Sequence, residues 1–386
     1  MSERKRPNYR SRLANKNIDD DNVILAPIDS SLLILIAFLC MFGLMAVFSA
    51  GAPVGLRLYN NPAYFAIRQF SFMIIGLILM VTMAKYDYKK LKEKAIPMAG
   101  IIIAFLAIIV FSSLGKSSNG ASRWLTFLPV QPSEFAKLAC IMLTAAAMVD
   151  IKTLLNEKTI ARLGIVAVTV VLIFMQPNLS MAILISATTA VMMLAGGVNF
   201  SLLLAAAGCV APLAFFKMHA YQLQRILSWQ DPWADPQNSG YNLIQSWYAI
   251  ASGGIFGVGF GHSKQKLFWL PFGHTDFIFA VISEEFGLLG CLVLLGLFVA
   301  LIHRGFFIAN RCPDMFGKLL AFGITFQIGF QAFLNVAVTT GVMPVTGVTL
   351  PLVSYGGSSV IITMTMVGVL LNISRKRIKR IIPHEA

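Results

Sequence analysis

The stretch SLLILIAFLCMFGLMAVFSA, residues 31 to 50, contains no charged side chain. A helix needs about 20 consecutive apolar residues to cross a bilayer core of about 30 Å, so this stretch predicts a transmembrane helix. It is longer than the apolar core of a signal peptide, which runs to about 7 to 15 residues. We therefore expect it to be retained as an anchor, although Ala50-Gly51-Ala52 resembles a cleavage site.

Apolar runs of this kind recur along the whole chain, which is 57% hydrophobic and only 12% charged. Soluble domains carry about 25% charged residues, so the composition predicts an all-α polytopic membrane protein. We expect about ten transmembrane helices, at 31–50, 66–84, 95–114, 134–149, 161–176, 179–196, 199–216, 278–302, 317–340 and 358–373. They would form one domain, 31–373, with a large outer loop at 217–277 between spans 7 and 8.

The positive charges predict the orientation of these spans. Most of the 31 basic residues fall in alternate connecting segments, including both terminal segments. Because cytoplasmic loops carry an excess of Lys and Arg, we expect a cytoplasmic tail at 1–30 and a basic cytoplasmic tail at 374–386. This distribution also explains the net charge of +14 without a nucleic-acid partner, which we do not expect.

The predicted outer loop holds two notable stretches. YNLIQSWYAIAS, residues 241 to 252, has the spacing of a surface helix. GGIFGVGFG, residues 253 to 261, allows two interpretations: backbone N–H groups that bind a phosphate, or a close-packed glycine turn. The turn is the commoner use of such a sequence. All five tryptophans lie on the predicted outer side, where they form an interfacial belt or offer aromatic faces to a sugar or lipid.

LPFGHTDFIFAVISEEFG, residues 270 to 287, places four titratable side chains where the eighth span begins. Asp276 lies at or near the first turn of that helix, so it either caps the helix or acts as a general base with a raised pKa. Glu284 and Glu285 lie farther into the apolar run, where ionised carboxylates need a partner or a cavity. Lys137, three residues after Glu134 on the fourth span, is the candidate partner; a purely structural ion pair is the alternative.

Five basic residues are expected on the outer side and are candidates for binding an anionic lipid headgroup: Arg123, Lys137, Arg225, Lys264 and Lys266. Each could instead snorkel to the interface. His274 and Asp276 resemble half of a metal site, but no further His or Cys has ligand spacing with them. A divalent cation, magnesium or manganese, held by one carboxylate and substrate phosphates stays possible. No organic cofactor is expected.

Five stretches together resemble one known family. They are NGASRWL at 119–125, QPSEFAKL at 131–138, SWQDPWADPQNSGYNLIQSWYAI at 228–250, GHTDFIFAVISEEFG at 273–287 and TLPLVSYGGSS at 349–359. On these motifs the chain resembles the SEDS (shape, elongation, division and sporulation) proteins of the FtsW and RodA type. NGASRW, SKQK at 263–266 and TLPLVSYGGSS are more similar to the division branch, whereas MPVTGV at 343–348 is similar to the elongation branch.

The resemblance implies a glycosyltransferase that polymerises lipid II into glycan strands outside the cytoplasmic membrane. It implies a class B penicillin-binding protein and other divisome membrane proteins as partners. The family's essential catalytic aspartate corresponds to Asp276, and the other residues expected at the substrate are Arg123, Glu134, Lys137, Arg225, Lys264, Lys266, His274, Glu284, Glu285 and Ser358. Division-type members often carry acids just before the HTD motif, where this chain has Phe268 and Phe272, so an ion site that relies on those acids is not expected here.

Three classes of function stay open on the residues alone. The first is the polymerase, of the division or the elongation type. The second is a lipid II flippase, because buried carboxylates and outer cations are also typical of transporters. The third is a scaffold that only recruits a transpeptidase.

Overall fold

The computed structural model describes residues 23–111, 115–118, 121–125, 131–150, 156–216 and 220–378. Helices dominate, as the composition predicts, and four strands of three to five residues accompany them. In chain order the elements are β1 (Val23–Leu25), α1 (Ser30–Tyr59), α2 (Tyr64–Lys85), α3 (Leu91–Phe111), β2 (Gly115–Ser118), β3 (Ala121–Leu125), α4 (Pro132–Val149), α5 (Glu157–Met175), α6 (Leu179–Ala195), α7 (Phe200–Phe216), α8 (Ala220–Gln230), α9 (Tyr241–Gly253), α10 (Ile278–Arg311), α11 (Met315–Thr339), α12 (Gly357–Ser374) and β4 (Lys376–Ile378). Single 3-10 turns occur at Tyr88–Lys90 and Pro232–Ala234.

Eight helices of the described chain are long and apolar enough to cross a membrane: α1 to α5 and α10 to α12. The shorter apolar helix α6 adds a ninth candidate, and α7 coincides with the remaining predicted span. Every predicted apolar run therefore contains a helix, and the all-α multi-pass class is confirmed. The exact number of ten spans and the placement of 217–277 as one outer loop stay predictions.

Three helices form the interior of the bundle. The apolar window of α12 is 100% buried, that of α4 89% and that of α11 72%, whereas those of α1, α2, α3, α5 and α10 are only 28 to 33% buried. These five helices lie at the periphery of the bundle and expose one apolar face, as helices in contact with lipid do. α12 packs most extensively on α2, and α4 packs against α3, α5, α6 and α11.

The two ends of the described chain meet on one side of the bundle. β1 pairs antiparallel with β4, with Val23 opposite Ile378, a contact that composition did not predict. Next to it Asp29 caps α1 by accepting from the backbone N–H of Leu32 at 3.0 Å and binds the Arg304 guanidinium at 2.8 Å. An even number of crossings between the two termini agrees with this pairing.

α10 bends sharply at Gly287, which has φ +65° and ψ −166°. The glycine-rich stretch 253–261 packs against the bend: the N–H groups of Val258 and Gly259 donate to the carbonyl oxygens of Glu284 and Glu285 at 2.9 and 3.0 Å. A Cβ on Gly257 would collide with the Glu285 carbonyl, and its φ is +80°. This stretch is therefore the close-packed glycine turn, and these two N–H groups are already used.

Candidate active site

Asp276 lies in the connection that leads into α10, two residues before the helix begins at Ile278. Asn335 of α11 holds it in place, because its side-chain amide donates to the backbone carbonyls of Asp276 at 2.8 Å and Val348 at 2.7 Å. The Asp276 side chain is half-buried and points at Gly347, where an added Cβ would lie 3.4 Å from its Oδ2. The carboxylate thus sits at the end of a membrane helix, against the connection between α11 and α12.

His274 is enclosed by two aromatic rings. Its ring centroid lies 4.5 Å from that of Phe65 and 5.9 Å from that of Tyr355, and its carbonyl accepts from the Tyr355 N–H at 3.0 Å. Burial lowers the pKa of His274 to about 4, because an apolar environment disfavours the charged imidazolium. The imidazole is therefore neutral at physiological pH and adds no cation beside Asp276.

A buried polar network joins α4 to the same connection. The Lys137 ammonium lies 2.5 Å from Glu134 Oε2 and donates to Gln331 Oε1 at 2.8 Å. The Gln331 amide then donates to the Thr349 carbonyl at 3.0 Å. Since Val348 and Thr349 are adjacent, the Lys137 network and Asp276 are fastened to one segment through two amides of α11, one helical turn apart.

Ser358 contributes to the anchoring of α4. Its hydroxyl accepts from the backbone N–H of Gln131 at 3.0 Å, and its side chain is buried. Ser359 beside it lies 3.1 Å from the Thr349 hydroxyl. The sequence motifs QPSEFAKL and TLPLVSYGGSS, distant in the chain, therefore meet at this point.

Glu284 and Glu285 hold the segment 263–266, which precedes Asp276. Glu284 accepts from the backbone N–H groups of Lys264 at 2.9 Å and Gln265 at 3.2 Å, and from the Ser263 hydroxyl. Glu285 Oε1 binds the Lys266 ammonium at 2.7 Å.

The Glu285 carboxylate also accepts from the Ser49 hydroxyl of α1 at 2.6 Å. We call Ser49, Lys266 and Glu285 the outer triad. The expected pairing of Glu284 and Glu285 with Lys137 is wrong, because the segment 263–266 folds back onto α10 and supplies Lys266 there, while Lys137 pairs with Glu134 of its own helix.

The remaining predicted cations are distributed around this region. Arg225 of α8 donates to the Val345 carbonyl at 3.3 Å, three residues before the segment held by Asn335. The Lys264 side chain is exposed. Arg123 belongs to β3, but its side chain lies outside the described part of the chain. The structure thus brings Glu134, Lys137, Arg225, His274 and Ser358 toward the connection that Asp276 faces, and it places Lys266, Glu284 and Glu285 in a separate network.

Sequence reasoning missed an aromatic platform at the N-terminal end of α2. Tyr59 and Tyr64 stack with centroids 3.6 Å apart, and Arg68 donates to the Tyr64 hydroxyl at 3.0 Å. Phe65, one turn from Arg68, contacts both His274 and Tyr355. In the sequence, Arg68 is one of the few basic residues on the predicted outer side. Its closeness to the HTD motif depends on tertiary packing.

An apolar groove of about 360 Å³ opens between α2, α3, α4 and α12. Its lining includes Leu79, Met98, Phe135, Leu138 and Ile362. Phe135 and Leu138 flank Glu134 and Lys137 in the sequence, so α4 lines the groove and also carries the polar network. Within the described residues, no three His, Cys, Asp or Glu side chains come together as metal ligands would.

The chain is similar to a known family of proteins. A family model described as cell cycle protein, FtsW/RodA/SpoVE, matches residues 30–379. The probable peptidoglycan glycosyltransferase FtsW of Geobacter metallireducens is 37% identical over 356 residues, 89% of this chain and 94% of the relative. Stage V sporulation protein E of Bacillus subtilis is 37% identical over 354 residues, 90% of this chain and 97% of the relative.

Two solved structures share the fold. A chain from a structure described as "Structural coordination of polymerization and crosslinking by a peptidoglycan synthase complex" has a TM-score of 0.74 at 30% identity, covering 90% of this chain and 98% of that one. The rod shape determining protein RodA of Thermus thermophilus has a TM-score of 0.67 at 28% identity, covering 90% of this chain and 97% of that one. The chain belongs to the FtsW/RodA/SpoVE family of multi-pass membrane proteins.

Proposed function

We propose that this chain is a peptidoglycan glycosyltransferase that polymerises lipid II at the outer face of the cytoplasmic membrane, with Asp276 as the general base. One observation carries the proposal: Asp276 and the Glu134–Lys137 network are fastened to the same segment, and α4, which carries that network, also lines an apolar groove. A lipid-linked sugar needs this combination, because its prenyl chain stays in hydrocarbon while its sugars meet the base.

The reaction needs one base and one set of cations. An acceptor sugar hydroxyl attacks the anomeric carbon of the donor, the base takes the hydroxyl proton, and the lipid diphosphate leaves with the bonding electrons. A diphosphate leaves without protonation, so the second carboxylic acid of a glycoside hydrolase is unnecessary. Asp276 can perform the single acid–base step, and neutral His274 adds no positive charge beside it.

Cations would stabilise the departing diphosphate. Arg68 is exposed and held over the Tyr64 ring at 5.6 Å, which makes it a candidate beside Arg123, Arg225 and Lys264. Lys137 is neutralised by Glu134, so we assign it mainly to the geometry of the site. The faces of Tyr59, Tyr64 and Tyr355 suit the apolar faces of sugar rings.

A divalent cation fits this site only in combination with substrate. In the described part of the chain Asp276 has no cluster of further carboxylates or histidines around it. Magnesium or manganese would therefore be held by Asp276 and the substrate diphosphate together, and would supply additional charge stabilisation there.

The cellular setting follows from charge and from the relatives. The excess of basic residues in the terminal segments supports cytoplasmic termini, and the β1–β4 pairing supports a common side for both. Relatives named FtsW support a role in division, with the RodA-type elongation role as the alternative. The related synthase complex, in which polymerization is coordinated with crosslinking, supports a class B penicillin-binding protein as partner, together with other divisome membrane proteins.

Liposomes that contain the purified chain and labelled lipid II distinguish the functions. We expect glycan strands from wild type with its transpeptidase partner and none from Asp276→Asn. Transbilayer movement of lipid II without glycan would identify a flippase instead. Partner binding without either activity, with Asp276→Asn unchanged, would identify a scaffold.

A further inference from the structure

A second cavity, of about 580 Å³, lies between the outer end of α1 and residues 260–268. We call it the α1 cavity. Its walls are apolar and exposed: Phe48, Leu56, Phe260, Leu267 and Phe268 each have 42 to 54% of their surface accessible. Its volume lies in the range of small-molecule sites, about 300 to 1,000 Å³. Asp276, His274 and the Glu134–Lys137 network do not line it.

The polar groups of the α1 cavity favour an anion. Ser49 and Lys266 lie in its wall and belong to the outer triad, in which Glu285 neutralises Lys266. Arg57 also lines the cavity, and its guanidinium lies over the Phe268 ring at 5.0 Å. No carboxylate of the described residues forms an ion pair with Arg57 within 4.0 Å. One positive charge is therefore left to attract a ligand.

The apolar surface continues from the cavity into the membrane. Phe38, Met41, Met45 and Phe48 occur at helical spacing along α1 and are 42 to 65% exposed. Residues three or four apart share one helix face, so they form a stripe that runs down α1 from the cavity. A ligand with a hydrocarbon chain could lie along this stripe with its head at Arg57.

We propose that the α1 cavity binds an anionic glycerophospholipid of the outer leaflet, with its phosphate at Arg57 and one acyl chain on the α1 stripe. A single unpaired cation suits one phosphate better than a diphosphate, and the cavity offers few polar groups for sugars. Lipid II is therefore the less suitable occupant. Because residues 260–268 lead into the HTD motif, the bound lipid would stabilise the segment that carries Asp276.

Native mass spectrometry of the purified full chain tests this binding without any polymerisation, so its outcome is independent of the proposed activity. In detergent, wild type should bind dioleoylphosphatidylglycerol about fivefold more tightly than dioleoylphosphatidylcholine, since one basic residue beside an anionic lipid contributes about 1 kcal/mol and the choline of the second lipid cancels the charge of its phosphate. Arg57→Gln should lose this preference. Equal binding of both lipids by wild type would overturn the proposal.

Two further variants exclude trivial explanations. Arg311→Gln is the matched control, because Arg311 also lies over a ring, Phe307 at 4.0 Å, but does not line the cavity; its lipid preference should equal that of wild type. Ala52→Phe adds a ring to the cavity wall and should reduce binding of both lipids. An equal loss in Arg311→Gln, or full binding by Ala52→Phe, would contradict the proposed site.

Competition identifies the source of the phosphate. Excess lipid II should leave phosphatidylglycerol bound to the α1 cavity, because the two ligands would occupy different sites. If lipid II displaced phosphatidylglycerol, and if Arg57→Gln abolished this displacement, the cavity would be assigned to the substrate. That result would overturn the phospholipid proposal.

Discussion

Asp276 and the Glu284–Glu285 pair lie within ten residues of each other but have different surroundings. Glu284 and Glu285 are 1% and 3% exposed, and their oxygens are bound by N–H groups, a hydroxyl and an ammonium from residues 263–266 and by the Ser49 hydroxyl of α1. Asp276 is half-buried and lies beside a neutral histidine at the edge of a large connection. A carboxylate deep in a membrane helix can therefore be structural, while Asp276, at the start of the helix, is partly exposed.

The largest expected effect separates these two kinds of carboxylate. Asp276→Asn should lower the rate of lipid II polymerisation about 1,000-fold, within the range of about 10² to 10⁴ for loss of a general base, and leave thermal unfolding almost unchanged. Glu285→Gln should do the reverse: lower the stability and retain much of the rate in the protein that stays folded. Polymerisation assays paired with unfolding curves measure both. The distinction fails if the two variants lose activity and stability in the same proportion.

Removal of one member of the outer triad should show the structural role directly. Lys266→Met leaves the Glu285 charge buried without its ammonium and should destabilise the protein by about 3 to 5 kcal/mol. The double variant Lys266→Met with Glu285→Gln removes both charges and should recover most of this loss. A double variant whose loss equals the sum of the losses of the two single variants would mean that the pair has no net coupling.

Asn335 tests whether Asp276 must be held in place. Asn335→Leu removes the amide that binds the Asp276 and Val348 carbonyls and should slow polymerisation about 10- to 100-fold, since small displacements at a reacting group have effects of that size. Asn372→Leu is the matched control. Asn372 also binds two backbone groups, at Ala84 and Tyr88, but it lies near the C-terminal end of α12, whereas the connection that Asp276 faces leads into the N-terminal end. It should lose a similar stability and keep the catalytic rate.

The smallest expected effect concerns pH. Burial lowers the pKa of His274 to about 4, below the ordinary value of about 6.5, so between these values the unfolded chain binds a proton that the folded chain does not. Stability from this group is complete above about pH 6.5 and falls as the pH decreases toward 4. Between pH 6.5 and 4.5 wild type should lose about 2 kcal/mol more stability than His274→Gln, measured by denaturant unfolding. Equal losses would show that His274 titrates normally.

The sequence predicts the helices well and their ends less well. Each apolar run became a helix, but α1 continues to Tyr59 and α10 to Arg311, beyond the predicted ends at 50 and 302. Hydropathy detects the part of a helix that lies in hydrocarbon. It does not detect turns that continue past the membrane, such as the one through Pro53 of α1.

The candidate site was predictable in its residue types and unpredictable in its partners. Asp276 was singled out because it precedes an apolar run within a recognisable motif. The partner of Glu285 lies 19 positions back in the sequence, and Asn335 meets Asp276 across 59 positions. Helical periodicity describes neighbours three or four residues apart. It does not predict contacts that depend on a returning loop or on the packing of α11.

Rate and binding measured separately on one variant test the central claim most directly. If Asp276 removes the acceptor proton, Asp276→Asn should bind lipid II within a few-fold of wild type, whereas its single-turnover rate of glycan bond formation with the partner present should fall about 1,000-fold. A variant that retains the wild-type single-turnover rate, or whose entire loss is explained by weaker binding of lipid II, would contradict the assignment of Asp276 as the base.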